Sequence, residues 1–155
     1  MKNVEEFLVY AIRLEFDAAQ RCDELAEVME SFDNKDCARL FRTLAKFARL
    51  HLEDAKNRGG FRDLPDWQTY DFEWPEGESP EAAEIWAADP MLAKVDALEN
   101  ALRSEKRSHD FYKHIRDTTT DPEIRALARE FVEEEAEHVA ILEGWLRGEE
   151  VLPAA

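Results

Sequence analysis

The chain has 155 residues, enough for one domain whose apolar core needs no disulfides. Its 36 acidic and 20 basic residues leave a formal charge of −16, a field that repels phosphate backbones and anionic headgroups, so neither nucleic acid nor a membrane surface is expected as a partner. Hydrophobic residues make up 45% of the sequence and only 5 Gly and 6 Pro occur, which argues against disorder and against a many-stranded β protein.

The N-terminal MKNVEEFLVYAIRLEF carries acids inside its apolar pattern, unlike a secretory signal, and no apolar run approaches the roughly 20 residues of a membrane span. A first helix is predicted over about 3–31, with Val4, Leu8, Ala11, Glu15, Ala18, Cys22, Leu25 and Met29 on one stripe and Asn3 with Glu6 as a capping box. A second, over about 34–57, turns Cys37, Phe41, Leu44, Ala48, His51 and Ala55 inward, and Gly59 is expected as its left-handed C-terminal cap. Residues 58–89 are expected to form a crossover strapped along the bundle by its Trp, Tyr and Phe side chains, with one short helix after Ser79-Pro80-Glu81. Asp89-Pro90 opens a third helix over about 90–117 with Met91, Val95, Leu98, Leu102, Glu105, His109 and Tyr112 inward. Asp121-Pro122 opens a fourth over about 121–147, with Ile124, Ala128, Phe131, Glu135, His138, Leu142 and Trp145 inward and Gly148 after its end. Short links join the first helix to the second and the third to the fourth, which predicts an all-α four-helix bundle, one domain over 1–155, made of two antiparallel hairpins joined by the long crossover.

Cys22 and Cys37 are the only cysteines and form no CxxC, so no disulfide framework, zinc ribbon or rubredoxin-type iron site is expected, and a reducing cytoplasm is the expected location. The two halves read as copies of one another. Adding 90 carries Glu15 onto Glu105 and Cys22 onto Tyr112, and adding 87 carries Ala48 onto Glu135 and His51 onto His138.

Each stripe holds a Glu or a His near its middle. An ionised carboxylate buried without partners costs several kcal/mol, so three glutamates on inward stripes need an explanation. At 1.5 Å per residue, Glu15, Ala48, His51, Glu105, Glu135 and His138 all fall roughly 20–25 Å from the hairpin ends, at one level of the bundle. Three carboxylates and two imidazoles gathered there suit a pair of divalent transition metals, iron or manganese in particular. Glu53, Glu99, Glu134 and Glu137 lie off the stripes and read as surface acids.

Glu15 on the first helix, His51 on the second, Glu105 with Tyr112 on the third, and VEEEAEHV around Glu135 and His138 on the fourth resemble the rubrerythrin branch of the ferritin-like di-iron proteins. The resemblance spans residues from about 3 to 147 and implies a ferritin-like bundle with one or two iron ions, manganese or zinc being alternatives. It further implies oxidoreductase or ferroxidase chemistry with oxygen or peroxide as the small-molecule oxidant. In that pattern Glu135 bridges, Glu15 and Glu105 are terminal carboxylates, and His51 and His138 each bind one metal.

Two departures matter. The family pattern has Glu-x-x-His on the second helix too, but Ala48 stands at the Glu position, which leaves the centre short of one bridging carboxylate. His109, one turn from Glu105, is a candidate for an extra ligand or for an imidazole that hydrogen-bonds a ligand, and Tyr112 is expected to hydrogen-bond a ligand carboxylate. With no rubredoxin module, a catalytic cycle requires an external electron donor. Three readings stay open from the sequence: a di-iron oxidoreductase; a binding or structural bundle in which Ala48 marks lost catalysis; and iron storage in a cage, disfavoured because Ala155 follows the fourth helix closely. A homodimer is expected.

Overall fold

The computed structural model describes residues 1–81 and 93–153. Its helices are α1 (Val4–Ser31), α2 (Lys35–Gly59), α3 (Ala93–Thr118) and α4 (Pro122–Leu146). The expected beginning of the third helix at 90, its Asp89-Pro90 cap and the short helix after Glu81 lie outside the described residues.

Helix ends are set by side chains that satisfy orphan backbone amides. Asn3 Oδ1 accepts from Glu6 N at 2.8 Å, while the Glu6 carboxylate accepts from Lys2 N at 2.7 Å, one residue before the position a capping box requires. Asn34 Oδ1 accepts from Cys37 N, and Asp121 Oδ1 accepts from Glu123 N and Ile124 N. At the end of α2 the positive φ belongs to Gly60 (+51°) and not to Gly59, the expected cap, which is the last helical residue. What Gly59 provides is room, because a Cβ there would lie 2.5 Å from Leu64 Cδ1.

α1 packs against α2 and α3 against α4. The core has two apolar ends. One gathers Cys22, Leu25 and Met29 of α1, Phe41 and Leu44 of α2, Leu98 of α3 and Trp145 of α4. The other gathers Phe7 and Leu8, Leu52 and Ala55, Tyr112 and Ile115, and Phe131. The start of α1 therefore lies with the ends of α2 and α3, so α2 and α3 run parallel and the chain between them travels the length of the bundle.

That connection is tied down by aromatic packing, as its composition suggested. The Tyr10 ring is met by Tyr70, Phe72, Trp74 and Phe111, and Trp67 packs on Phe16. Glu73 N donates to Tyr10 OH at 2.8 Å. The inward stripes of α1 and α4 agree with the sequence pattern, as does that of α2 except that His51 is only half-buried. The stripe of α3 differs: Val95 is exposed and Leu102 partly so, while Ala97, Ala101, Ser104 and Ser108 face inward. Ala97 and Ala101 pack in the first of the two apolar clusters, whereas Ser104 and Ser108 lie beside a buried polar network. Among the described residues no helix is long and apolar enough to cross a membrane.

Candidate metal centre

Between its two apolar ends the core turns polar. The apolar packing at this level shrinks to Ala18, Ala19 and Ala48, and around it sit the buried side chains of Glu15 and Arg21 from α1, Glu105 and Ser108 from α3, and Glu135 and His138 from α4. α2 contributes His51 and the crossover contributes Glu81. Glu135 and His138 share a face of α4 because they are one turn apart, and Glu105 meets them from the neighbouring helix.

One ligand atom from each of Glu105, Glu135 and His138 lies within 4.8 Å of the others, with all three residues buried. His138 Nδ1 is 3.5 Å from Glu105 Oε2 and 4.0 Å from Glu135 Oε2. Across the layer, His51 Nδ1 is 3.8 Å from Glu15 Oε2 and 3.5 Å from Glu134 Oε2. The imidazoles of His51 and His138 stack at 5.6 Å with 16° between their planes, which places the two donor groups side by side. On the other flank Arg21 pairs with Glu81 at 2.5 Å and reaches Glu105 Oε1 at 3.5 Å, while Ser108 Oγ donates to Glu81.

Buried polar atoms are nearly always paired. Here Glu15 Oε1, Arg21 Nη1, His51 Nδ1, Tyr112 OH, Glu134 Oε2 and Glu135 Oε2 are buried and make no hydrogen bond among the described residues. Three carboxylate oxygens and one imidazole nitrogen without hydrogen bonds in one layer are donor types that a divalent transition metal takes, so the residues fit such an ion.

The protonation of the layer follows from burial against pairing. Burial, reinforced by the neighbouring Glu105 charge, pushes Glu135 well above the ordinary carboxylate range, and burial pushes Glu15 up as well. Burial also lifts Glu81 to about 7 against the pull of Arg21. Glu105 goes the other way: hydrogen bonds with Glu135 and His138, and the charges of His138 and Arg21, outweigh burial and hold it at about 2. Burial alone would lower His138, but the Glu105 carboxylate overrides it and raises the imidazole to about 9. Burial and nearby carboxylates keep the Tyr112 phenol protonated.

The raised groups bind protons more tightly folded than unfolded. Their stabilisation is complete below the ordinary values of 4.5 for Glu and 6.5 for His, and it is lost as pH rises through about 7 for Glu81 and about 9 for His138. The depressed Glu105 acts only on the acid side, losing its contribution as pH falls toward 2. Chelator-treated protein is therefore expected to melt at a lower temperature near pH 8.5 than near pH 5.5, an interval of roughly three pH units that contains the titration of Glu81 and the lower part of that of His138. A midpoint that stays level or rises over that interval contradicts the protonated cluster.

Of the residues singled out from sequence, Glu105, Glu135 and His138 come together, and Glu15 and His51 face them within the same layer. Tyr112 is fully buried, but its hydroxyl does not make the expected hydrogen bond to a ligand carboxylate, because the ring is held in the aromatic cluster, stacked on Phe131 at 5.0 Å. His109 stands apart: its Nδ1 faces Asp110 Oδ1 at 3.3 Å on a partly exposed surface of α3. Glu134 is not the solvated surface acid its position off the stripe suggested, since its Oε2 is buried beside His51. Arg21 and Glu81 were missed altogether. Arg21 had a signal, because Phe7, Leu14, Arg21 and Val28 recur every seven residues and put it on a second inward track of α1. Glu81 had none, since nothing local in the crossover indicates burial.

Fold and site together define an all-α four-helix bundle with a buried Glu-Glu-His group compatible with a metal site. No protein-family model and no curated protein matches the chain. Among solved structures it is similar to an uncharacterized conserved protein, COG1633, from Magnetospirillum magnetotacticum MS-1, with a TM-score of 0.76 and 32% sequence identity over 99% of this chain and 97% of that one. The chain belongs to that COG1633 family.

Proposed function

We propose that this protein is a non-haem iron-binding bundle of rubrerythrin type, acting on oxygen or peroxide as an oxidoreductase or ferroxidase. The observation that carries the reading is the buried Glu105, Glu135 and His138 group with its ligand atoms within 4.8 Å of one another. Glu15 and His51 complete the ligand set from α1 and α2. Bound iron supplies one-electron exchange with the oxidant; the remaining work falls to the chain.

Arg21 holds Glu105 by Oε1, which leaves Oε2 turned toward His138. Phe7, Tyr112 and Phe131 pack as an aromatic wall against one side of the layer and exclude water there. The edge between α2 and α4 is partly open, because the His51 and Glu134 side chains keep 20% and 32% of their surface, and it offers a small oxidant a way into the layer. Both cysteines are buried, with thiols pushed up to about 12 by burial, so neither offers a thiolate to the layer; as an oxidoreductase the protein would need an external electron donor, whereas as a ferroxidase it would take its electrons from Fe(II) itself.

A second reading is favoured by one observation. Ala48 packs on Ala18 and Ala19 where the related pattern has a carboxylate, and Arg21 already offers Glu105 a cation. On that reading the bundle has given up the metal. Iron, manganese and zinc content after reconstitution decides between the two, with Glu135→Ala measured alongside. About one or two ions per chain, lost in the variant, supports the metal reading. Less than about 0.2 per chain, unchanged by the variant, supports the other.

A further inference from the structure

The two sides of the polar layer are unequal. One has two carboxylates and an imidazole, in Glu105, Glu135 and His138; the other has Glu15 and His51, with Ala48 one turn before His51. The Ala48 methyl is enclosed by Ala18 and Ala19, so α2 supplies no acid there. Glu134 reaches the same side from α4. Adjacent helical residues point about 100° apart, so Glu134 diverges from Glu135, and it comes to lie 3.5 Å from His51 Nδ1. Its Oε2 is buried without a hydrogen bond, as is Oε1 of Glu15, a residue only 3% exposed.

Resting on the metal-binding reading above, we propose that Glu134 takes the place in space of the carboxylate that Ala48 lacks, so that Glu15, His51 and Glu134 hold a second divalent cation beside that of Glu105, Glu135 and His138. The charges agree. Glu15, Glu105, Glu134 and Glu135 balance two divalent ions, and the Arg21 and Glu81 pair is neutral by itself. The second position is the looser one, because only the first group closes to 4.8 Å among the described residues and because Glu134 and His51 remain partly exposed. The carboxylate at the rim costs less to bury than one at position 48 would, and it leaves the second ion the more exchangeable.

The test is Mn(II) binding to the full metal-free chain by calorimetry and equilibrium dialysis, in the parent, Glu134→Gln and Glu133→Gln, with thermal melts to confirm that each variant is folded. Glu133 is the exposed neighbour and serves as control. The parent is expected to bind two equivalents of unequal affinity. Glu134→Gln is expected to keep the tighter one and to weaken the other at least about 10-fold, on the scale of losses around metal sites, with Glu133→Gln unchanged. Two equivalents bound by Glu134→Gln with parental affinities overturn the assignment, as does an equal loss in Glu133→Gln. A parent that binds a single equivalent, insensitive to Glu134→Gln, also overturns it while leaving the metal reading in place; a parent that binds none overturns both.

Discussion

Arg21→Met is expected to destabilise the metal-free protein more than any other substitution in the polar layer. The guanidinium is 2% exposed and is held between Glu81 and Glu105, themselves buried. Methionine replaces most of its volume, so the loss is one of charge and hydrogen bonding. Breaking a buried pair by removing one partner typically costs about 3–5 kcal/mol. At roughly 2–4 °C per kcal/mol for a chain of this size, the melting midpoint falls by on the order of 10 °C. The effect depends on pH. Glu81, which titrates at about 7, is protonated in mild acid and needs its cation least there, so the deficit should be larger near pH 8 than near pH 5.5. Arg21→Met combined with Glu81→Gln should recover much of the loss, because the amide oxygen still accepts from Ser108 and no unpaired carboxylate is left at that position. A single variant within about 0.5 kcal/mol of the parent at pH 8 would show that the pair is not buried as described.

Metal loading is expected to have the opposite effect and similar size. Glu15, His51 and Glu135 keep buried atoms without hydrogen bonds, and an ion that binds them in the folded state alone stabilises it by mass action. With free metal about a thousand-fold above its dissociation constant the gain is about 4 kcal/mol, again on the order of 10 °C in midpoint. Glu135→Ala should abolish that response, whereas Glu133→Ala, on the exposed face, should keep it. In metal-free protein Glu135→Gln should cost little, because burial and the neighbouring Glu105 charge both favour the neutral form of that acid over the charged one. Melts by differential scanning calorimetry, with and without Mn(II), read all of these. A Glu135→Ala protein stabilised as much as the parent would remove Glu135 from the ligands.

Stability and function thus pull against one another at this level of the bundle. An apolar layer would serve the fold better than free carboxylates do. Their presence is what makes the layer a candidate site.

Helix-period reasoning found the layer because it asks which polar residues interrupt an apolar stripe. Glu15, Glu105, Glu135 and His138 do so on α1, α3 and α4, and all are buried. The same reasoning misplaced α3, where it put Val95 inward in preference to Ser104 and Ser108. A serine gives no apolar signal, yet Ser108 is buried with its hydroxyl satisfied by Glu81 and the Ser104 carbonyl. His109 was a candidate because of its spacing from Glu105; its ring instead faces Asp110, since the apolar arc of α3 is narrow and centred on the small residues.

Four amphipathic helices, most of their described ends, and a level at which glutamate and histidine replace apolar residues are legible in the amino-acid sequence, because periodicity and capping are local properties of a chain. Tertiary structure alone decided what surrounds that level. Arg21 is buried because α1 is covered on a second face, Glu81 because the crossover closes over it, and Glu134 is half-covered because α2 lies within reach of its carboxylate. Each of these depends on which element packs beside which, and the separations involved, 60 residues between Arg21 and Glu81 for example, lie far outside any local pattern.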